Sequence, residues 1–168
     1  PHVQTIFGSL SLRATGVNEM VLAAKEVLVD AGQGIRLLGY HSTHAASHSR
    51  GLMIVIHGWE GSSDSTYVVC TGRYFYRQGY DIFRLNLRDH GRSHHLNRGL
   101  FHGALTDETA KAVGNIATIL KGLPCYLIGF SLGGNFALRI ALRQSISAIP
   151  NLRRVFAISP ALDPYRST

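Results

Sequence analysis

Gly129-Phe130-Ser131-Leu132-Gly133 decides the fold of this chain, because of what stands on either side of it. Before it, Cys125-Tyr126-Leu127-Ile128 is an apolar run of strand length. After it, Gly134-Asn135-Phe136-Ala137-Leu138-Arg139-Ile140-Ala141-Leu142 spaces apolar residues three and four apart, as a helix does. A G-x-S-x-G sequence between strand and helix predicts a sharp turn that exposes the serine at its tip. Gly129 and Gly133 let the backbone turn tightly, so that Ser131 stands clear of the sheet and can reach a carbonyl carbon. The N–H of Leu132, first in the helix, then faces the charge that develops on the carbonyl oxygen. The plainer alternative is a glycine-rich turn in which Ser131 only caps the helix.

Working outward, Glu26–Asp30 and Ile35–Tyr40 flank Gly32-Gln33-Gly34 and predict an antiparallel hairpin. His41 to Arg50 reads as a polar loop, with His41, His44 and His48 as solvated surface residues. Leu52–Ile56 is unbroken and apolar, the mark of a strand buried on both faces. A helix is expected over Ser65–Gln78, stopped by Gly79, and a strand over Asp81–Leu87. Thr106 looks like the N-cap of a helix that runs to Lys121, with Asp107 and Glu108 in its first turn. Val155–Ile158 is the last strand. Strands alternating with helices after an opening hairpin predict an α/β fold: a mostly parallel sheet with helices on both faces.

His57-Gly58-Trp59-Glu60-Gly61 follows the third strand at its carboxyl end, where ligands of open α/β sheets bind. Gly58 permits close backbone approach, and the N–H of Trp59 is the natural second donor to an oxyanion beside that of Leu132. The usual order on this architecture is serine, acid, histidine. His57 precedes Ser131, so its expected role is to hold the loop by hydrogen bonds. No histidine follows Ser131. His90, His94, His95 and His102 are irregularly spaced and have no cysteine partner, which argues against a metal site. Asp163 reads equally well as an acid after the last strand or as a turn residue before Pro164.

The 168 residues fit one domain, and 45% hydrophobic with 9% aromatic content belongs to a globular chain. A net charge of +7 and a pI near 9.9 raise the question of polyanions. The arginines are scattered with no basic run or interleaved aromatics, so nucleic acid is not expected. The charge is compatible with contact to a membrane surface, but no feature of the sequence supports one. Cys70 and Cys125 read as small buried hydrophobes, and no run of 18 apolar residues appears, so a cytoplasmic location is expected.

Pro1-His2-Val3-Gln4-Thr5, His57-Gly58-Trp59-Glu60-Gly61-Ser62, Asn86-Leu87-Arg88-Asp89-His90-Gly91, Leu100-Phe101-His102 and Gly129-Phe130-Ser131-Leu132-Gly133-Gly134 together resemble the YheT-like branch of the α/β-hydrolase superfamily. That resemblance implies an α/β-hydrolase fold cut after about six strands, with residues 1–168 as the N-terminal part of a single domain. It implies a serine hydrolase acting on small carboxylic esters, lipid or acyl esters among them, through Ser131 and an acyl-enzyme. Its acid and histidine are then expected beyond Thr168, and no cofactor is required. Thioesterase, amidase and acyltransferase chemistry use the same parts. The rival from another class is a non-catalytic binding module, or a degenerate short homologue on the same scaffold.

Overall fold

β3 (Leu52–Ile56) is buried at every position, and its side chains divide between two cores. Leu52, Ile54 and Ile56 pack on one face with Phe83, Val113, Ile116 and Phe136. Met53 and Val55 pack on the other with Met20, Val68, Val69 and Ile82. Alternation across the strand therefore sends apolar residues to both sides, so helices must cover both. The computed structural model describes residues 18–44 and 49–162.

The described elements are α1 (Glu19–Leu22), β1 (Ala24–Asp30), β2 (Arg36–Ser42), β3, α2 (Thr66–Arg77), β4 (Asp81–Leu85), α3 (Thr106–Ala117), β5 (Cys125–Phe130), α4 (Leu132–Arg143) and β6 (Leu152–Ile158). They build one six-stranded sheet in the order β1-β2-β4-β3-β5-β6. β1 and β2 form the antiparallel hairpin, and β2 also runs antiparallel to β4. From β4 through β3 and β5 to β6 every pairing is parallel. α2 lies on one face with α1, while α3 and α4 lie on the other. This is the predicted α/β fold, with strand ends of β3 and β5 side by side at the carboxyl edge: Ile56 pairs with Gly129.

Several boundaries differ from the sequence reading. α3 starts at Thr106, with Leu105 in the cap position, and no side chain caps it. Among the described residues the buried Thr106 hydroxyl has no hydrogen-bond partner, so Thr106 is not the N-cap. The helix ends at Ala117 rather than Lys121. β6 begins at Leu152 and so includes Arg153 and Arg154. His41 belongs to β2 and is 8% exposed. His44 stacks on Tyr76 and bonds Asp81 through Nδ1 at 3.3 Å, so neither histidine is the solvated loop residue expected; His48 lies outside the described residues. So do Asp163 and the Pro1–Thr5 stretch.

Candidate active site

Ser131 sits between β5 and α4 with φ 49° and ψ −112°, a backbone conformation that non-glycine residues rarely adopt. Three hydrogen bonds hold it there. Its N–H donates to the Ile158 carbonyl at 2.9 Å, and its own carbonyl accepts from Asn135 at 3.0 Å and Ala161 at 3.2 Å. The end of β6 and the segment after it thus clamp the turn. Ser131 stands at the N-cap position of α4, yet its side chain makes no capping bond. Ser131 is exposed and its hydroxyl does not cap the helix, which removes the plain capping alternative.

The glycines of the motif are required by contact. A Cβ on Gly129 would lie 2.1 Å from the Gly133 carbonyl oxygen, and one on Gly133 would lie 2.4 Å from the His57 carbonyl oxygen. Both are far inside van der Waals contact. The second of these places the Ser131 turn directly against the loop that follows β3. A Cβ on Gly58 would meet the Ser131 Cβ at 3.2 Å, so that loop and Ser131 are in near contact.

The loop is pinned by groups beneath it. His57 is fully buried. Its Nε2 accepts the Leu87 N–H at 3.1 Å, and its Nδ1 lies 2.7 Å from the Gly58 carbonyl oxygen. Since a backbone N–H can only donate, the proton sits on Nδ1 and is given to Gly58. Both ring nitrogens are therefore spent, and burial pulls the pKa down to about 4. Asn86 accepts the Ser63 N–H at 2.7 Å. Arg84, 2% exposed, gives the Ser63 carbonyl a 2.7 Å bond and the Asp64 carboxylate one of 3.0 Å. Burial lowers the Arg84 pKa, and Asp64 works against that shift.

Gly58 has its carbonyl tied to His57 and its N–H tied to the Tyr67 hydroxyl at 2.9 Å. The next N–H in the loop, that of Trp59, has no acceptor among the described residues. The same holds for Leu132, whose N–H opens α4. Trp59 is 62% exposed, with its ring edge-on to Phe101 at 5.9 Å. An open cavity of about 270 Å³ brings Ser131, Gly58 and Trp59 together with Tyr67, Phe130, Ile158 and Ser159. None of these lining residues carries a charged side chain. The sequence reading missed Tyr67 and Phe130, which approach each other at 4.9 Å between ring centres, and it missed the β6 end.

Other histidines take other partners. His90 sets Nδ1 against the Arg88 carbonyl at 2.7 Å, and the exposed His94 sets Nδ1 against Asp89 at 2.6 Å. Among the described residues no group of three or more His, Cys, Asp or Glu side chains is arranged to hold a metal ion. A larger cleft of about 360 Å³ lies between the β1–β2 turn and α3. It contains the paired Arg88 and Glu108, and no serine, threonine or cysteine is among its described lining residues.

A family model described as the alpha/beta hydrolase fold matches residues 51–165. No curated protein matches the chain. Among solved structures, the esterase Pf2001 of Pyrococcus furiosus superposes with a TM-score of 0.65 at 21% identity, over 82% of this chain and 52% of that one. Est1E of Butyrivibrio proteoclasticus, solved with ferulic acid bound, gives 0.66 at 23% identity, over 80% and 53%. XC6422 of Xanthomonas campestris, described as an a/b serine hydrolase without lid, gives 0.59 at 19% identity, over 73% and 57%. The chain thus spans about half the length of these relatives. With a six-stranded, mostly parallel sheet that opens on an antiparallel hairpin and a family model covering most of its length, the chain belongs to the α/β-hydrolase fold family.

Proposed function

We propose that residues 1–168 carry the nucleophile and oxyanion hole of a serine hydrolase acting on carboxylic esters, of the YheT-like branch. The observation that carries this reading is Ser131 itself: a strained serine with no capping bond, heading α4 beside Leu132 and sharing a cavity with Trp59, where among the described residues neither the Trp59 nor the Leu132 N–H has an acceptor. In the proposed reaction Ser131 Oγ adds to the ester carbonyl carbon, and its proton passes to a histidine base supplied from outside the described residues. The carbonyl electron pair moves onto oxygen, where the two N–H groups receive it. Collapse of the adduct expels the alkoxide, which takes up the proton, and water releases the acid by the same route. The uncharged cavity supports a neutral ester as substrate. No helix among the described residues is long and apolar enough to cross a membrane.

Hydrolysis of p-nitrophenyl esters by the protein as its gene encodes it tests the proposal. Turnover that Ser131→Ala abolishes is expected, and equal turnover by that variant would refute it. Residues 1–168 alone should be feeble, since oxyanion hole and binding without the other triad members leave roughly 10³–10⁴-fold acceleration over water. One observation favours a second reading, a non-catalytic module on this scaffold: His57, the histidine beneath the Ser131 site, has both ring nitrogens already engaged in hydrogen bonds. That reading predicts no turnover at any length of chain.

A further inference from the structure

Tyr67 is placed and bonded in a way that packing alone does not call for. It is the second residue of α2, 39% exposed, and it walls the cavity that Ser131 enters. Its ring rests on Phe130, and its hydroxyl oxygen accepts the Gly58 N–H. A phenol can accept and donate at the same time. Among the described residues the Tyr67 O–H hydrogen has no acceptor.

Position makes this consequential. The point where a Gly58 Cβ would stand lies 3.2 Å from Ser131 Cβ and 3.6 Å from the Tyr67 hydroxyl oxygen. Nucleophile and phenol therefore border one small space. Accepting an N–H polarises the phenol and makes its own hydrogen a better donor. A donor aimed where charge develops strengthens its bond as the transition state forms, and only such differential bonding raises the chemical rate.

We propose that Tyr67 is a third hydrogen-bond donor of the site. Its oxygen holds the Gly58 N–H, and its O–H donates to the oxygen of the ester that Ser131 attacks. Tyr67 keeps its proton throughout; no bond to it forms or breaks beyond the hydrogen bond. The assignment rests on Ser131 acting as a nucleophile toward esters, and it adds a side-chain donor to the two backbone N–H groups.

Tyr67→Phe in the protein as its gene encodes it deletes the hydroxyl and keeps the ring. With p-nitrophenyl acetate, kcat should fall about 10²-fold while KM stays within about threefold, the pattern of a lost transition-state donor. A trifluoromethyl ketone, which forms a tetrahedral oxyanion on the serine, should lose affinity by a similar factor. Gly61→Ala gives an independent route, because a Cβ there would press on the Tyr67 hydroxyl at 2.6 Å. Its kcat loss should largely vanish when combined with Tyr67→Phe. If Tyr67→Phe does not fold, Gly61→Ala alone must show the loss.

A folded Tyr67→Phe with wild-type kcat and inhibitor affinity would overturn the assignment and leave Ser131 untouched. A rise in KM at constant kcat would also overturn it. Wild-type protein whose turnover does not depend on Ser131 would instead overturn the hydrolase reading, and Tyr67 with it.

Discussion

Ser131 holds a backbone conformation that costs roughly 1–3 kcal/mol in a non-glycine residue, and its neighbours explain how the chain tolerates it. Ile158 and Ala161 bond it from the β6 side, and Gly129 and Gly133 leave room for two backbones to touch. Gly129→Ala puts a methyl 2.1 Å from the Gly133 carbonyl oxygen. Overpacking of this severity should lower stability by about 3 kcal/mol or more, read by urea denaturation. His57 makes a prediction about pH. Its folded pKa of about 4 lies below the ordinary 6.5, so the unfolded chain binds more protons between those values. Its contribution is present in full above pH 6.5 and is lost as pH falls toward 4. The size is on the order of 3 kcal/mol. Urea melts from pH 7.5 to 4.5 should show this slope in the wild type and a shallower one in His57→Gln.

At the scale of elements, the strands and helices were legible wherever pattern and burial coincide. Leu52–Ile56 reads as a doubly buried strand and is one, because both faces of the sheet are covered by helices. Boundaries that depend on tertiary contact were not legible. β2 runs on to Ser42 because His41 and Ser42 pair with Phe83 and Ile82 in β4, so a histidine-containing stretch that looked solvated is buried. α1, four residues held by Asn18, is too short to show a period. Of the site, Ser131, Leu132 and the glycines could be found from one motif, and Trp59 from a loop at a strand end. Tyr67 could not, since nothing in sequence spacing tells that the first turn of α2 stands over Gly58. Arg84 was equally hidden: it is a cation inside a central strand, and its partners are a loop carbonyl and an exposed carboxylate. Arg84→Met leaves no buried charge alone, because Asp64 is 61% exposed. Stability should therefore change by no more than about 1–2 kcal/mol. Activity should fall about 10- to 100-fold as the Trp59 loop loosens, and ester turnover beside a thermal melt separates the two.

For the whole molecule, the sheet ends on β6, whose outer edge has no partner strand among the described residues. Phe156 and Ile158 are 44% and 43% exposed, and Leu142 and Ile146 on and after α4 are 78% and 89% exposed. A free edge beside apolar side chains is a template for pairing with another chain. Arg153 and Arg154 at the start of β6 blunt that tendency, a protection that a strand limited to Val155–Ile158 would lack. Residues 1–168 expressed alone should self-associate on size exclusion at micromolar concentration, and Phe156→Lys should shift them toward monomer. A wild-type monomer with strongly protected amides over residues 153–158 would contradict this and favour the non-catalytic reading.

An activated nucleophile at Ser131 is the property on which the hydrolase reading depends, and a fluorophosphonate probe reads it directly. The protein as its gene encodes it should react to one adduct, mapped by peptide mass spectrometry to Ser131 and lost in Ser131→Ala. Protein that stays unlabelled while folded, or that carries the adduct on another residue, would contradict the account.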